Sequence, residues 1–96
     1  MKIKINVELK GVEGEPIVLN GKPPKTLKDV CVSAVLTPEQ DDDSDKKLNK
    51  YKIFKKLADA KESVDLTAEE IVVIKAGIGK FEPPLILGQC FELLEK

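Results

Sequence analysis

Ile3, Ile5, Val7 and Leu9 alternate with Lys2, Lys4, Asn6, Glu8 and Lys10, a period of two that predicts a strand with one buried face. Gly11-Val12-Glu13-Gly14 offers a loop, after which Glu15 to Leu19 can return as a second strand, with Pro16 suited to an edge. A lone hairpin is marginal in water, so it must lie on helices or pair with another strand, such as one from a second copy. Asn20-Gly21 marks a turn, and Lys22-Pro23-Pro24 denies a third ladder strand, so residues 20–25 read as a stiff connection.

From residue 26 the apolar spacing changes to three and four. Thr26 with Asp29 resembles a capping box, and Leu27, Val30, Cys31, Ala34 and Val35 form one stripe of a short helix ending near Leu36. Thr37-Pro38-Glu39-Gln40 is a second helix-start signature, which fades into an acidic loop over residues 38–45. Lys46 to Lys61 is amphipathic, with Leu48, Tyr51, Phe54, Leu57 and Ala58 as the apolar stripe. A break at Ser63 to Leu66 precedes the clearest capping box, Thr67-Ala68-Glu69-Glu70. The β-branched run Ile71-Val72-Val73-Ile74 pulls toward a strand, but the cap before it and Gly77 and Gly79 behind it favour a helix that stops at the glycines. Phe81-Glu82-Pro83-Pro84 turns the chain into a last helix, Leu85 to Leu94. The predicted fold is a single α+β domain over 1–96. A β-hairpin and connection (1–25) precede a helical part (26–96) of about four short helices, with 67–96 as the organising core.

Composition narrows the function classes. Ninety-six residues make one domain, able to bury roughly 60–65% of its unfolded surface. Aromatics are only 4%, so the core must be aliphatic and little is left for stacking on bases or sugars. All 16 cationic side chains are lysines against 17 carboxylates, a net charge of −1 that gives no global attraction to nucleic acid or to an anionic membrane. The absence of histidine removes the usual general base and imidazole ligand. Cys31 and Cys90 form no CxxC pair and read as reduced core thiols. No signal peptide or membrane span is expected, since the longest apolar run is Ile71 to Ile74, and the cytosol is the expected compartment.

Four motifs have chemical readings, and each has a plainer one. Asp41, Asp43 and Asp45 match the first ligands of a calcium loop, but Lys46 stands at its glycine and Lys52 at its bidentate glutamate, so a solvated acidic loop is preferred. Gly77-Ile78-Gly79-Lys80 lacks the first glycine of a phosphate loop and has Phe81 in place of its hydroxyl residue. The lysine-rich helix could touch phosphates through Lys47, Lys50, Lys55 and Lys56, although its aromatics lie on the apolar stripe and arginine is missing. The carboxylates Glu69 with Glu70 and Glu92 with Glu95 have neither a nucleophile nor a base beside them, and surface charge accounts for them. No catalytic, cofactor or metal site is predicted.

The order of elements, with TLKDVCVSAVLTPEQ (26–40), KYKIFKKLADAK (50–61) and VDLTAEEIVVIKAGIGKFEPPLILGQCFELLEK (64–96), resembles small proteins encoded by tailed bacteriophages and prophages. The resemblance implies a bacterial cytosolic setting and a role in phage development, as an assembly helper or a small regulator, with no enzymatic residues to carry over. The apolar arcs of the last two predicted helices are wider than one neighbour covers. A non-enzymatic protein–protein interaction module is therefore expected, with a protein partner or a second copy meeting Ile78, Phe81, Leu85 and Gln89. Nonspecific nucleic-acid binding through the lysine-rich helix is the alternative, and an enzyme comes third.

Overall fold

A computed structural model describes residues 1–17, 24–40 and 42–95. Its elements are β1 (Lys2–Lys4), α1 (Leu27–Leu36), α2 (Ser44–Asp59), β2 (Ser63–Asp65), α3 (Ala68–Phe81) and α4 (Pro84–Leu94). The fold is α+β, with an N-terminal antiparallel β unit and four helices around one aliphatic core.

The period of two at the N-terminus is realised as predicted. Ile3, Ile5 and Leu9 are buried, Val7 is half-buried, and the lysines between them face outward. Three partners share this segment. Residues 2–4 pair antiparallel with β2 in the register Lys2 to Asp65, Ile3 to Val64 and Lys4 to Ser63. Residues 5–9 then run beside the entry to α1, where Leu27 N donates to Val7 O and Lys28 N to Ile5 O, each at 2.9 Å. Residues 9–11 turn back onto 15–17, as Gly11 N donates to Glu15 O at 2.7 Å and Ile17 N to Leu9 O at 3.3 Å. Gly14 closes that turn with a φ of 86°, a conformation that glycine adopts without steric cost. Residues 18–23, which include the Asn20-Gly21 turn and the end of the predicted second strand, lie outside the described residues.

The partner of β1 is the segment that the sequence predicts to be only a break. Val64 of β2 and Leu66 just beyond it are buried, while Asp65 is exposed and Ser63 half-buried, so this short segment brings two aliphatic side chains to the core. The Met1 ammonium closes the end of this ladder, donating to Leu66 O at 2.7 Å and to Asp65 Oδ1 at 3.0 Å.

α1 is the hub. Its predicted stripe of Leu27, Val30, Cys31, Ala34 and Val35 is buried in full, and α2 and α3 both pack on it. Both arms of its capping box form: Asp29 N donates to Thr26 Oγ1 and Thr26 N to Asp29 Oδ2. The Lys28 ammonium donates to Ala60 O at 2.8 Å, pinning the end of α2 to the start of α1.

In α2 the buried positions are Ile53 and Leu57, with Phe54 packed at the margin of the core. Leu48 and Tyr51, predicted on the apolar stripe, are instead 52% and 51% exposed. The helix also starts at Ser44, inside the predicted acidic loop, and the Thr37-Pro38-Glu39-Gln40 signature forms no helix. Asp43 accepts from Lys46 N at 2.9 Å and sets that start.

Residues 71–74 are helical, as expected from the Thr67/Glu70 capping box, both arms of which are present. The helix does not stop at its glycines, however, and runs to Phe81. Gly77 is buried against α1, so it serves close packing rather than termination. Pro83 and Pro84 open α4, whose Ile86, Cys90 and Leu94 complete the core. α3 and α4 are tied by Lys75, which pairs with Glu95 and lies 4.8 Å from the centre of the Phe91 ring.

Candidate interaction surface

The α3–α4 turn, which the apolar surplus singles out in the sequence, is used in a more divided way than expected. Phe81 and Leu85 are exposed, at 45% and 42%. Ile78 is fully buried and belongs to the core, because the unbroken helix turns it toward α1 together with Ile71 and Ile74. Gln89 is held within the chain: its Oε1 accepts from Lys10 N at 2.8 Å and its Nε2 donates to Lys10 O at 2.7 Å. That two-way pairing ties α4 to the N-terminal turn. The predicted contact set thus reduces to Phe81 and Leu85.

A second surface emerges from the packing of three helices. α2 and α3 both rest on α1 and leave a depression of about 260 Å³ between them. Val72, Val73 and Ala76 of α3 form one wall, and Lys46, Asn49 and Lys50 of α2 form the other, with Glu39 at the margin. Two ion pairs bracket it. Lys56 meets Glu70 at 2.8 Å in the first turn of α3, and Lys80 meets Glu39 at 3.3 Å in its last turn. Val72 is 65% exposed, an unusual degree for a valine on a wall between helices.

A neighbouring depression of about 210 Å³ lies between α1 and α2, lined by Val35, Leu36, Pro38, Lys47, Tyr51 and the polar pair Lys50 and Asp42. Leu36 is half exposed, and the Tyr51 ring stands 6.2 Å from that of Phe54. Lys50 therefore lines both depressions, and its side chain forms the divide. Its ammonium sits 2.6 Å from Asp42 Oδ2, which also accepts from Glu39 N at 3.1 Å. The Asp42 side chain is only 3% exposed, contrary to the solvated loop predicted for it. The hydrogen bond from Lys50, then that from the Glu39 N–H, holds its carboxyl below the usual range, despite the opposing effect of burial.

The predicted phosphate-contacting lysines have separate fates. Lys50 is engaged by Asp42 and Lys56 by Glu70, while Lys47 and Lys55 are exposed. The calcium reading of the acidic run gives way to structural roles: Asp43 caps α2, Asp42 clasps Lys50, and Asp45 sits in the first helical turn. Asp41 lies outside the described residues. Among the described residues no cluster of three or more potential metal ligands occurs and no charged side chain is buried in the core. Gly77 to Lys80 is helical and forms no phosphate-cradling loop.

The thiols are chemically quiet. Burial pushes Cys31 up to about 12, with the negative charge that Cys90 would carry adding to it. Burial, then Glu82, pushes Cys90 up to about 11. Neither is poised as a nucleophile near neutral pH.

The signal for this surface is present in the sequence as Leu36, Tyr51 and Val72, apolar residues on predicted helices. Periodicity assigns such residues to a core, and only the packing of α2 and α3 on α1 shows which of them are left outside. Among the described residues no helix is long and apolar enough to cross a membrane. Comparison with protein families, with characterised proteins and with solved structures finds no match to this chain.

Proposed function

We propose that this protein is a non-enzymatic protein–protein interaction module that binds through the paired depressions astride Lys50. The observation that carries the reading is the exposure of Leu36, Tyr51 and Val72 at two adjoining apolar hollows. Apolar side chains held at a rigid, concave helical surface gain free energy by leaving water, roughly 1.5–3 kcal/mol for a fully buried valine or leucine. Phe81 and Leu85 at the α3–α4 turn offer a second, smaller contact. Following the resemblance to phage proteins, the role proposed for the module is that of an assembly helper or small regulator.

The test is site-specific photo-crosslinking in the cell that makes the protein. A photoreactive side chain at Leu36, Tyr51 or Val72 should give one discrete adduct, either with another protein or with a second copy. The same group at Val12, which is 88% exposed and lines neither depression, should give none. Equal adducts from all four positions would sink the reading.

A further inference from the structure

We infer that the Lys50 side chain is a movable partition, held across the two depressions by Asp42, which an occupant spanning both must displace. The inference rests on the association reading above and adds a contact that keeps the surface in a divided resting form.

The placement of Lys50 supplies the argument. Among the described residues it is the one shared by both depressions, whereas Val73 and Ala76 line only the first and Val35 and Leu36 only the second. With the stem in place, the apolar walls offered by α1 and α3 face separate hollows. Lysine stems cover apolar surface in this way while the ammonium seeks a polar partner. Here the side chain is only 15% exposed, and its ammonium lies 2.6 Å from Asp42 Oδ2.

This tie is local, which makes it separable from the fold. Asp42 stands eight residues before Lys50, in the connection that leads into the same helix. Ile53 and Leu57 keep α2 on the core wherever the ammonium goes. The neighbouring ion pairs differ, since Lys56 with Glu70 joins α2 to α3, and Lys80 with Glu39 joins α3 to the α1–α2 connection.

A flexible four-carbon stem lets the Lys50 ammonium swing out into water. Doing so leaves the Asp42 carboxylate, which keeps the Glu39 N–H as a donor, without its cation in a place where it is almost covered. That cost favours the closed form and makes the open form the minor one. A ligand that needs a minor form binds with an affinity reduced by the population of that form. Truncating an ordinary contact residue weakens binding, whereas truncating a partition strengthens it.

The test uses the neutral apolar dye Nile red, whose fluorescence rises when it leaves water, on the purified full chain. Two variants are compared with the parent protein: Lys50→Ala, and Lys50→Ala combined with Asp42→Asn so that no lone carboxylate is left covered. Each should bind the dye at least about tenfold more tightly than the parent. In nuclear magnetic resonance spectra the bound dye should shift the backbone amides of residues 35–36 and 72–76 together. Unchanged or weaker binding in a variant that folds overturns the inference, as does tighter binding that shifts the amides of only one depression. Loss of the dispersed amide spectrum in both variants also overturns it, because the tie would then belong to the fold itself. These readouts come from the isolated protein, so failure of the association reading is registered separately, by the crosslinking pattern.

Discussion

Gly77 of α3 lies so close to Ala34 of α1 that a Cβ at position 77 would stand 2.9 Å from the Ala34 carbonyl oxygen and 3.0 Å from its Cβ. The approach of the two helices, and with it the angle at which α3 leaves the cleft beside α2, depends on that missing methyl group. Gly77→Ala should destabilise by about 1–3 kcal/mol, since backbone rather than a flexible side chain must yield. Gly79 has open space around the same position, and Gly79→Ala should be neutral or stabilise by up to about 1 kcal/mol through helix propensity. Urea denaturation of the two variants checks the contrast, and equal effects would contradict the packing.

Gln89 and Lys10 make a second such contrast. Gln89→Leu keeps the volume of the side chain on α4 but removes both hydrogen bonds to the Lys10 backbone. Each bond contributes about 0.5–1.5 kcal/mol where its partner is not left buried. The expected outcome is a modest loss of stability with faster amide exchange at Lys10, measured by hydrogen exchange.

Acid should loosen the fold through identifiable carboxylates. Asp42 and Asp65 are held below their ordinary range, Asp42 by Lys50 and Asp65 by the Met1 ammonium. At Glu70 burial alone would raise the value, but Lys56 and the Thr67 N–H outweigh it and the net shift is downward. A depressed folded value means that the unfolded chain binds protons first, so the contribution is present above the ordinary range of about 3.9–4.3 and is lost as pH falls through the folded values. The melting temperature should therefore hold from neutral pH to about 5 and fall below about 4. Asp42→Asn should lower it at pH 7, and the gap to the parent protein should narrow as pH falls through the folded value of Asp42.

The thiols give the opposite limb. With Cys31 pushed up to about 12 and Cys90 to about 11, the unfolded chain releases thiol protons first as pH rises past about 8.5. Stability should decline from there toward pH 11. Both cysteines should react with a thiol reagent only as fast as the core opens, and prompt reaction of either at pH 7 would contradict their burial.

Much of the framework was legible beforehand because it depends on local chemistry. Thr26 with Asp29, Thr67 with Glu70 and Pro84 at the head of α4 mark helix starts by side chains within one turn. The misreadings arise where tertiary packing decides. Ser63-Val64-Asp65-Leu66 alternates correctly, but four residues are too few to tell a strand from a break without Ile3 beside them. Gly77 carries the same letter whether it ends a helix or admits a neighbour, and only the proximity of Ala34 distinguishes the two. Ile78 shares a helical stripe with Ile71 and Ile74, and only the packing of α3 shows that this stripe is buried and not left for a partner. Leu48 and Tyr51 fall at helical spacing with Leu57, yet α2 buries Ile53 beside Leu57 and leaves the other two exposed.

The most direct measurement of the central claim couples the two depressions. A photoreactive side chain at Leu36 in one hollow should form its adduct in the parent background and lose at least about tenfold of its yield when Val72→Asp is introduced in the other. Val12→Asp, elsewhere on the surface, should leave the yield unchanged. A yield at Leu36 indifferent to Val72→Asp, in a protein that melts at the parent temperature, would show that the hollows do not share an occupant.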